Sequence, residues 1–291
     1  MGQHSCYLRQ PGLLLRMVST IRDRMAPWLP IPYKLPWGSL MLLFNSESCD
    51  AILGGYYNEQ DELNLLCYLL KPRMVFFDLG ASHGIYSIVA SRAVGREGRV
   101  YAFEPVPSEF RRLKANCAFN LAWNIRAERL AVSNTEGTTL MYAVAPNKGS
   151  YSSMRRPASD VRVPMKKIQV RTTTLDAYID QNDISQIDVL KVDVEGAEMD
   201  VIRGGMSIWK AKQRPIVFCE VNDRRTEPWG YRGRDLLQFF AELEYLFFKP
   251  SSKGLVSHEI QEQYSFTNIV IVPEEKLPSV APLGDQSVIT V

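Results

Sequence analysis

The stretch that decides the fold reads Val75-Phe76-Phe77-Asp78-Leu79-Gly80-Ala81-Ser82-His83-Gly84-Ile85-Tyr86-Ser87. An apolar run typical of a buried strand leads into a turn with two glycines, and a helical pattern begins directly afterwards. Glycines let the backbone approach a ligand closely, and the free amides at the start of the helix offer hydrogen-bond donors. The stretch therefore predicts a strand, a loop and a helix, with the loop binding a nucleotide-like molecule.

Two features distinguish this loop from a dinucleotide-binding loop. A pyrophosphate-binding loop normally follows the pattern G-x-G-x-x-G, whereas Gly80 and Gly84 give G-x-x-x-G, and Asp78 stands at the end of the strand. A carboxylate at that position repels a pyrophosphate, but it attracts the ammonium and sulfonium groups of S-adenosylmethionine, which has no phosphate. The loop therefore favours S-adenosylmethionine as the cofactor.

A second acid is predicted at the tip of the next strand. Glu104 stands 24 positions after Gly80, at the spacing expected for one βαβ unit. In nucleotide-binding folds of this class, an acid at the end of the second strand accepts hydrogen bonds from the ribose hydroxyls. We therefore assign Glu104 to the ribose of the cofactor.

Outward from this loop, short apolar runs alternate with helical patterns, as is typical of a parallel sheet built from βαβ units. Strands are predicted at 74–79, 99–104, 125–132, 187–192 and 216–221, with 245–248 and 266–272 as a closing edge pair. Helices are predicted at 59–70, 85–94, 108–120, 174–180, 197–204 and 233–243. Between 136 and 173 the alternation breaks, and strand-like pieces at 138–144 and 168–172 indicate an inserted hairpin after the third strand. The sequence predicts an α/β fold.

The two ends of the chain lack this alternation. Residues 1–57 contain Pro27, Pro30, Pro32 and Pro36, which prevent a long helix between them, so a cap or docking arm is expected there. This arm is also a candidate contact for a homodimer. Residues 58–273 are assigned to the main domain, and the polar, proline-containing residues 274–291 to a mobile tail.

Composition narrows the partners and the compartment. The formal charge of +2 gives no overall field that would attract a polyanion, so nucleic acid is not an expected partner. Five scattered cysteines form no C-x-x-C pair, which is typical of reduced thiols in a cytoplasmic protein. No apolar run approaches the length needed to span a bilayer, and no signal peptide is expected.

Five ordered motifs resemble those of the FkbM-type methyltransferase family. They are DLGASHGIYS from Asp78, YAFEP from Tyr101, TTTLDAYI from Thr172, DVLKVDVEGAE from Asp188 and IRGG from Ile202. The resemblance implies a class I methyltransferase Rossmann-like fold: a mostly parallel central sheet with an antiparallel edge strand and helices on both faces. Members of this family are linked to O-methylation of sugars, glycans or natural products.

The resemblance also implies roles for individual residues. Asp78, Gly80 and Ser82 would contact the methionine end of the cofactor, Glu104 the ribose, and Ala131 and Ser133 the adenine. The family commonly has Asn where Ser82 and His83 stand, so His83 is either a departure or a variable position. The full set assigned to the cofactor is Asp78, Gly80, Ala81, Ser82, Gly84, Tyr86, Ser87, Glu104, Pro105, Ala131, Val132, Ser133 and Asp193.

Acids that follow the fourth and fifth strands are the candidates for catalysis. Ligands of open α/β sheets bind beyond the carboxyl ends of the strands, where Asp193, Glu195 and Glu220 are expected. An alcohol acceptor must lose a proton during methyl transfer, so we assign Asp193, Glu195, Glu220 and His83 as candidate general bases. Glu195, Glu220, Asn222 and Tyr151 are assigned to the substrate; the acids could also hold a divalent cation, but no metal ligands are assigned.

The residues leave other functions open. An N-methyltransferase has the same donor side, since only the acceptor differs. A nicotinamide-dependent oxidoreductase would need a phosphate-binding loop, against which Asp78 argues. A non-catalytic binding protein could retain the fold without the reaction.

Overall fold

The computed structural model describes residues 12–144, 152–155, 164–252 and 254–280. Within these residues the helices are α1 Leu13–Met25, α2 Glu47–Gly54, α3 Gln60–Leu69, α4 Ile85–Val94, α5 Pro107–Phe119, α6 Leu175–Gln181, α7 Glu198–Arg203, α8 Met206–Trp209, α9 Asp223–Thr226, α10 Gly233–Ala241 and α11 Leu277–Val280. The strands are β1 Ile31–Lys34, β2 Leu40–Leu43, β3 Val75–Leu79, β4 Arg99–Phe103, β5 Ile125–Glu128, β6 Ala131–Val132, β7 Gly137–Val144, β8 Met165–Thr173, β9 Val189–Val192, β10 Ile216–Val221, β11 Tyr245–Ser251, β12 Gly254–Ser257 and β13 Thr267–Pro273.

The central sheet has the strand order β12-β11-β13-β10-β9-β3-β4-β5. β3 pairs in parallel with β4 and β9, and the parallel pairing extends to β5 on one side and β10 on the other. Beyond β10 the pairing is antiparallel. β13 pairs with β10 on one side and with β11 on the other, and β12 pairs with β11 at the edge of the sheet. The predicted fold class is confirmed, and the carboxyl ends of five parallel strands meet at one edge of the sheet.

Two apolar cores cover the two faces of this sheet. Phe76 points into a core shared with α3 and α4, whereas its neighbour Phe77 points into a core shared with α7 and α10. This alternation follows from the two-residue period of a strand, and it explains why β3 is apolar on both faces. The predicted placement of helices on both faces is confirmed.

The sequence prediction of one third strand over 125–132 is wrong. The chain leaves the central sheet after Glu128, and Ala131–Val132 pairs with β8 in a separate sheet of order β6-β8-β7. After the edge strand β5, Ala131 and Val132 find their backbone partners in Thr172 and Thr173 of β8, and the chain therefore changes sheet there. The inserted hairpin itself is confirmed, since β7 and β8 pair antiparallel from Gly137 to Val144.

The N-terminal segment has more regular structure than the sequence predicts. α1 ends at Met25, two residues before Pro27, and β1 and β2 then form an antiparallel hairpin. α2 ends at Gly54, and the next residue, Gly55, caps the helix in a left-handed conformation with φ +76°. Side chains from the hairpin and α2, such as Leu43 and Ile52, are buried in the core of α3 and α4. The segment is thus packed on the main domain.

Part of the segment assigned to the C-terminal tail is also packed. Residues 274–276 form a 3-10 turn and Leu277–Val280 forms α11. Val280 is buried, and Lys276 Nζ donates a hydrogen bond to the carbonyl of Asp188. The main domain therefore extends at least to Val280, beyond the predicted boundary at 273. None of the helices in the described parts of the chain is both long and apolar enough to cross a membrane.

Asn116 connects three elements near the cofactor loop. Its Nδ2 donates to the carbonyl of His83 (2.9 Å), and its Oδ1 accepts from the amide of Leu42 in β2 (2.7 Å). We expect Asn116→Ala to lower the free energy of unfolding by roughly 2–4 kcal/mol, because the buried carbonyl of His83 and the partly buried amide of Leu42 lose their partners. Denaturant unfolding followed by circular dichroism measures the change.

Asn120 provides the matched control. Its Oδ1 accepts from the amide of Leu40, and its Nδ2 donates to the carbonyl of the same residue. Both hydrogen bonds are exposed to solvent. Water can replace those bonds, so Asn120→Ala should cost only about 1 kcal/mol. Equal losses in the two variants would show that burial of Asn116 adds nothing to the stability.

Candidate active site

A cavity of about 350 Å³ opens at the carboxyl ends of β3, β4, β9 and β10. One wall is the loop after β3, and another is formed by acidic residues at the ends of β9 and β10. Apolar residues from the N-terminal segment and from the β6-β8-β7 sheet line the rest. A volume of this size lies within the range of about 300–1,000 Å³ that small-molecule sites occupy. The cavity is the candidate active site.

The loop after β3 folds against the end of β9. Gly80 and Gly84 have φ values of +81° and +87°, and the amides of Gly80 and Ala81 both donate to the carbonyl of Phe103. A Cβ atom on Gly80 would lie 1.8 Å from the carbonyl oxygen of Asp193. Position 80 therefore requires glycine both for its backbone conformation and for the close approach.

Glu104 holds the far side of this loop. One carboxylate oxygen accepts from the amide of Ser82 (2.9 Å), and the other accepts from the amide of Val106 (2.8 Å). Burial raises the pKa of Glu104 to about 8. Glu104 lines the cavity at the end of β4.

Asp78 does not lie where the sequence analysis assigned it. Its side chain is fully buried beneath the loop and is absent from the cavity lining, and one oxygen accepts a hydrogen bond from Ser87 Oγ at 2.5 Å. Its other oxygen is 4.0 Å from Lys191 Nζ. The reason is register: Asp78 pairs with Lys191 inside the sheet, so both side chains point to the α4 face and not past the strand end. Direct contact between Asp78 and a ligand in the cavity is therefore not supported.

Asp78 and Lys191 begin a polar row that crosses this face of the sheet. Lys191 Nζ donates to Asp193 Oδ2 (2.8 Å) and lies 4.9 Å from the ring centroid of Tyr86. Burial opposes the charge of Lys191, but the carboxylates around it, Asp193 first and then Asp78, hold its pKa above the ordinary value. Glu220 continues the row on β10. Lys191 is thus a fixed cation between carboxylates.

The N-terminal segment adds a further acid to this row. Tyr57 Oη donates to Glu59 Oε2 (2.7 Å), immediately before α3, and both side chains line the cavity. Burial raises the pKa of Glu59, and the nearby charge of Lys191 counteracts the shift. A further carboxyl group therefore faces the cavity from the residues just before α3, where the sequence analysis assigned no site residue.

Glu195 and Glu220 form the second acidic wall. Glu195 has a φ of +56°, an uncommon conformation for a residue with a side chain, and its Oε2 lies 3.0 Å from Arg225 Nε. Burial, and then repulsion from Asp193 and Glu198, raises the pKa of Glu220 to about 8. The pKa of Glu195 is also raised, first by burial and then by Glu220. The wall thus contains a carboxyl group that titrates near neutral pH.

His83 lines the cavity but its Nε2 is already engaged. That nitrogen lies 2.6 Å from Glu109 Oε2 and 3.0 Å from Arg112 Nη1 on α5. Only the other ring nitrogen remains for a ligand. These contacts favour a role for His83 in fixing the loop against α5.

The predicted site residues divide clearly by their placement. Those that line the cavity are Gly80, Ala81, Ser82, His83, Tyr86, Glu104, Pro105, Ala131, Val132, Asp193, Glu195 and Glu220. Asp78, Gly84, Ser87, Ser133 and Asn222 do not line it. Tyr151 lies outside the described residues. Asn222 instead caps α9 by accepting from the amide of Arg224, and its Nδ2 donates to Glu220.

Several lining residues were not predicted. They are Met41, Leu43, Cys49, Ile52, Tyr57 and Glu59 from the N-terminal segment, Met141, Ser152 and Met154 from the inserted region, and Lys191 and Arg225. Lys191 could have been found, because a charged residue inside an apolar strand pattern indicates a buried partner. The N-terminal residues carried no such signal, since they belong to short elements outside the βαβ pattern.

Comparison with known proteins agrees with this arrangement. A family model described as the methyltransferase FkbM domain matches residues 78–247. The 31-O-demethyl-FK506 methyltransferase FkbM of Streptomyces tacrolimicus is 29% identical over 54% of this chain and 70% of its own length. The hexuronic acid methyltransferase AglP of Haloferax volcanii is 27% identical over 50% of this chain and 56% of its own length.

Other relatives are matched over different shares of their length. The AMB antimetabolite synthetase AmbE of Pseudomonas aeruginosa is 32% identical over 54% of this chain, but the match spans 9% of the synthetase. The match to methyltransferase 1 of Beauveria bassiana spans 62% of that protein, so both matches cover less than two thirds of the relative. Among solved structures, the methyltransferase FkbM from Methylobacillus flagellatus KT aligns with a TM-score of 0.40 and 15% identity, covering 88% of this chain and 60% of that one.

The close approach at Gly80 leads to a prediction. We expect Gly80→Ala to abolish ligand binding in the cavity and to lower the midpoint of thermal unfolding by at least about 8 °C, because the added methyl group displaces the loop from Asp193. Gly230→Ala is the matched control: Gly230 has φ +82°, but a Cβ atom there meets nothing within 4 Å. It should show only the backbone cost, about 1 kcal/mol. If both variants lose the same stability, the contact with Asp193 does not constrain the loop.

Proposed function

This chain belongs to the FkbM methyltransferase family, and we propose that it transfers the methyl group of S-adenosylmethionine to a hydroxyl group of a sugar, a glycan or another natural product. The observation that carries the proposal is the pairing of Glu104 with the glycine loop at one side of the cavity and three acids at the other. The names of two relatives support an oxygen acceptor, since one acts on a hexuronic acid and one on 31-O-demethyl-FK506.

The charge of the cavity supports this cofactor over a dinucleotide. Six carboxyl groups line it, from Glu59, Glu104, Glu109, Asp193, Glu195 and Glu220, whereas the lining cations are Lys191 and Arg225. Burial raises the pKa of several of these carboxyl groups; the sulfonium and ammonium charges of S-adenosylmethionine would favour their ionised forms, whereas a pyrophosphate would oppose their ionisation. The residues therefore fit S-adenosylmethionine, which supplies an activated methyl group when it is bound.

The residues on the two sides of the cavity indicate how it would hold the cofactor. We assign the ribose hydroxyls to Glu104, as in related nucleotide-binding folds, and the adenine to the apolar wall at Ala131 and Val132. The methionine end then lies along Gly80–His83, facing Lys191 and Asp193. Asp78 acts from beneath the loop, because its contacts with Ser87 and Lys191 position the groups that reach the cavity.

Glu220 is the best candidate for the general base. A base works well when its pKa is near the working pH, and burial raises the pKa of Glu220 to about 8. Asp193 has a different environment, since its carboxylate pairs with Lys191 and is less available as a proton acceptor. Glu220 would take the proton of the acceptor hydroxyl, and Asp193 and Glu195 would orient that hydroxyl. The bound cofactor would supply the methyl group, lose its carbon–sulfur bond to that group and leave as S-adenosylhomocysteine.

Calorimetric titration tests the cofactor. We expect the protein to bind S-adenosylmethionine and S-adenosylhomocysteine and not NAD. Glu104→Gln should weaken S-adenosylmethionine binding by about tenfold, because an amide NH2 group replaces one of the carboxyl oxygens that can accept from the ribose hydroxyls. Glu128→Gln is the matched control, since Glu128 ends the neighbouring strand β5 and is absent from the cavity lining. Selective binding of NAD would overturn the proposal.

Release of S-adenosylhomocysteine tests the chemistry. Hexuronic acids, neutral sugars, polyhydroxylated natural products and simple amines serve as the acceptor panel, and faster turnover of amines would favour an N-methyltransferase. With the best acceptor, Glu220→Gln should lower kcat by roughly 10²–10⁴, while cofactor affinity changes by less than about threefold. It should also remove the rise in kcat between about pH 6 and 9, because the group that must lose its proton is gone.

Glu227→Gln controls for removal of a nearby exposed carboxylate. It should leave both kcat and its pH profile unchanged. A Glu220→Gln enzyme with the wild-type pH profile would remove Glu220 as the base. Cofactor binding without turnover of any acceptor would favour a non-catalytic binding protein.

A further inference from the structure

α1 and the turn after it expose a continuous apolar stripe. On α1, Met17, Ile21 and Met25 recur at the four-residue spacing of one helix face, with Val18 beside them, and Trp28 and Leu29 are exposed in the turn that follows. Met25 is 75% exposed and Trp28 is 74% exposed. Soluble proteins seldom expose large apolar side chains in a contiguous group unless the group contacts something. We call this surface the α1 stripe.

The opposite face of α1 is firmly attached to the domain. Arg22 is 5% exposed, and its Nη1 donates to the carbonyls of Leu29 (3.1 Å) and Leu43 (3.0 Å). Arg22 Nε also pairs with Asp23 at 2.6 Å. Because these bonds fix the helix and the turn to the β1–β2 hairpin, α1 cannot rotate to bury the stripe. The stripe therefore faces outward as a permanent feature of the fold.

Positive charges flank the α1 stripe. Arg16 and Arg24 are exposed on α1 itself, and Lys34 is exposed on the neighbouring hairpin. The acids of α1 and α2 in the described residues are Asp23, which pairs with Arg22, and Glu47 and the exposed Asp50 of α2. An apolar helix face with basic residues at its sides is typical of helices that lie in the headgroup layer of a membrane, where Trp is also favoured.

We propose that the α1 stripe docks the protein on the surface of an anionic lipid bilayer. The helix would lie parallel to the membrane with Met17, Ile21 and Trp28 among the headgroups, while the flanking cations meet the negative lipids. A second copy of this chain fits the stripe less well. In a twofold dimer the same basic residues face each other, with no excess of acid opposite them.

Co-sedimentation of the full chain with vesicles tests this proposal. Binding should be at least about tenfold stronger to phosphatidylcholine vesicles with about 30 mol% phosphatidylserine than to phosphatidylcholine alone, and about 0.5 M salt should reduce it severalfold. The triple variant Met17→Ser, Ile21→Ser, Trp28→Ser should lose at least about tenfold of the binding to the anionic vesicles. Arg24→Glu should weaken it severalfold through charge alone.

Leu140→Ser is the matched control. Leu140 on β7 is 54% exposed, the same fraction as Met17 and Ile21, but it belongs to the β6-β8-β7 sheet. Leu140→Ser should bind vesicles as the wild type does. Thermal unfolding of each variant checks that it is folded, and Trp28→Ser alone replaces the triple variant if the latter is destabilised.

Three results would overturn the proposal. They are wild-type protein that ignores anionic vesicles, a triple variant that still binds them, and a wild-type dimer that the triple variant converts to a monomer in light scattering. The last result would show that the α1 stripe is a protein interface. The test is independent of the proposed methyltransferase substrate, because it measures lipid binding and not turnover.

Discussion

The candidate site depends on one close approach between two backbones. The loop after β3 reaches the carbonyl of Asp193 so closely that a methyl group at position 80 has no room. This contact joins the ends of β3 and β9, two neighbouring parallel strands of the sheet. The loop amides on one side and the acids of β9 and β10 on the other consequently border the same cavity. A larger residue at position 80 would separate these two halves.

Charge within the sheet supports this geometry from beneath. Lys191 is buried in β9, where an unpaired ammonium group would be costly, and Asp78 and Asp193 lie on either side of it. The pairing of β3 with β9 sets Asp78 beside Lys191. The register of the sheet therefore determines that the Asp78 carboxylate is buried against Lys191, whereas Asp193 lines the cavity. Asp78 is thus important for the site without bordering it. Removing either partner would leave an uncompensated buried charge.

The sequence was sufficient for the central sheet but not for the walls of the cavity. Strands such as β3 and β10 are apolar on both faces and are followed by strong helical patterns, so their identity and order could be predicted. The period of two residues does not reveal whether a polar residue near a strand end points past the end or into the sheet, so the burial of Asp78 beneath the loop could not be predicted. The division of 125–132 between two sheets depends on a distant partner, Thr172–Thr173. Tyr57 and Glu59 could not be found because long-range packing brings them to the site.

These differences indicate where specificity resides. The glycine loop and Glu104 occupy positions that the βαβ pattern dictates, and their contacts with backbone amides leave little room for variation. The remaining walls come from the N-terminal segment and the inserted β6-β8-β7 sheet, which meet the cavity mainly with apolar side chains such as Leu43, Ile52 and Met141. Apolar contacts are non-directional, so such walls can be reshaped by substitution without disturbing hydrogen bonds in the sheet. The choice of acceptor should therefore follow these two segments, while cofactor binding follows the strand ends.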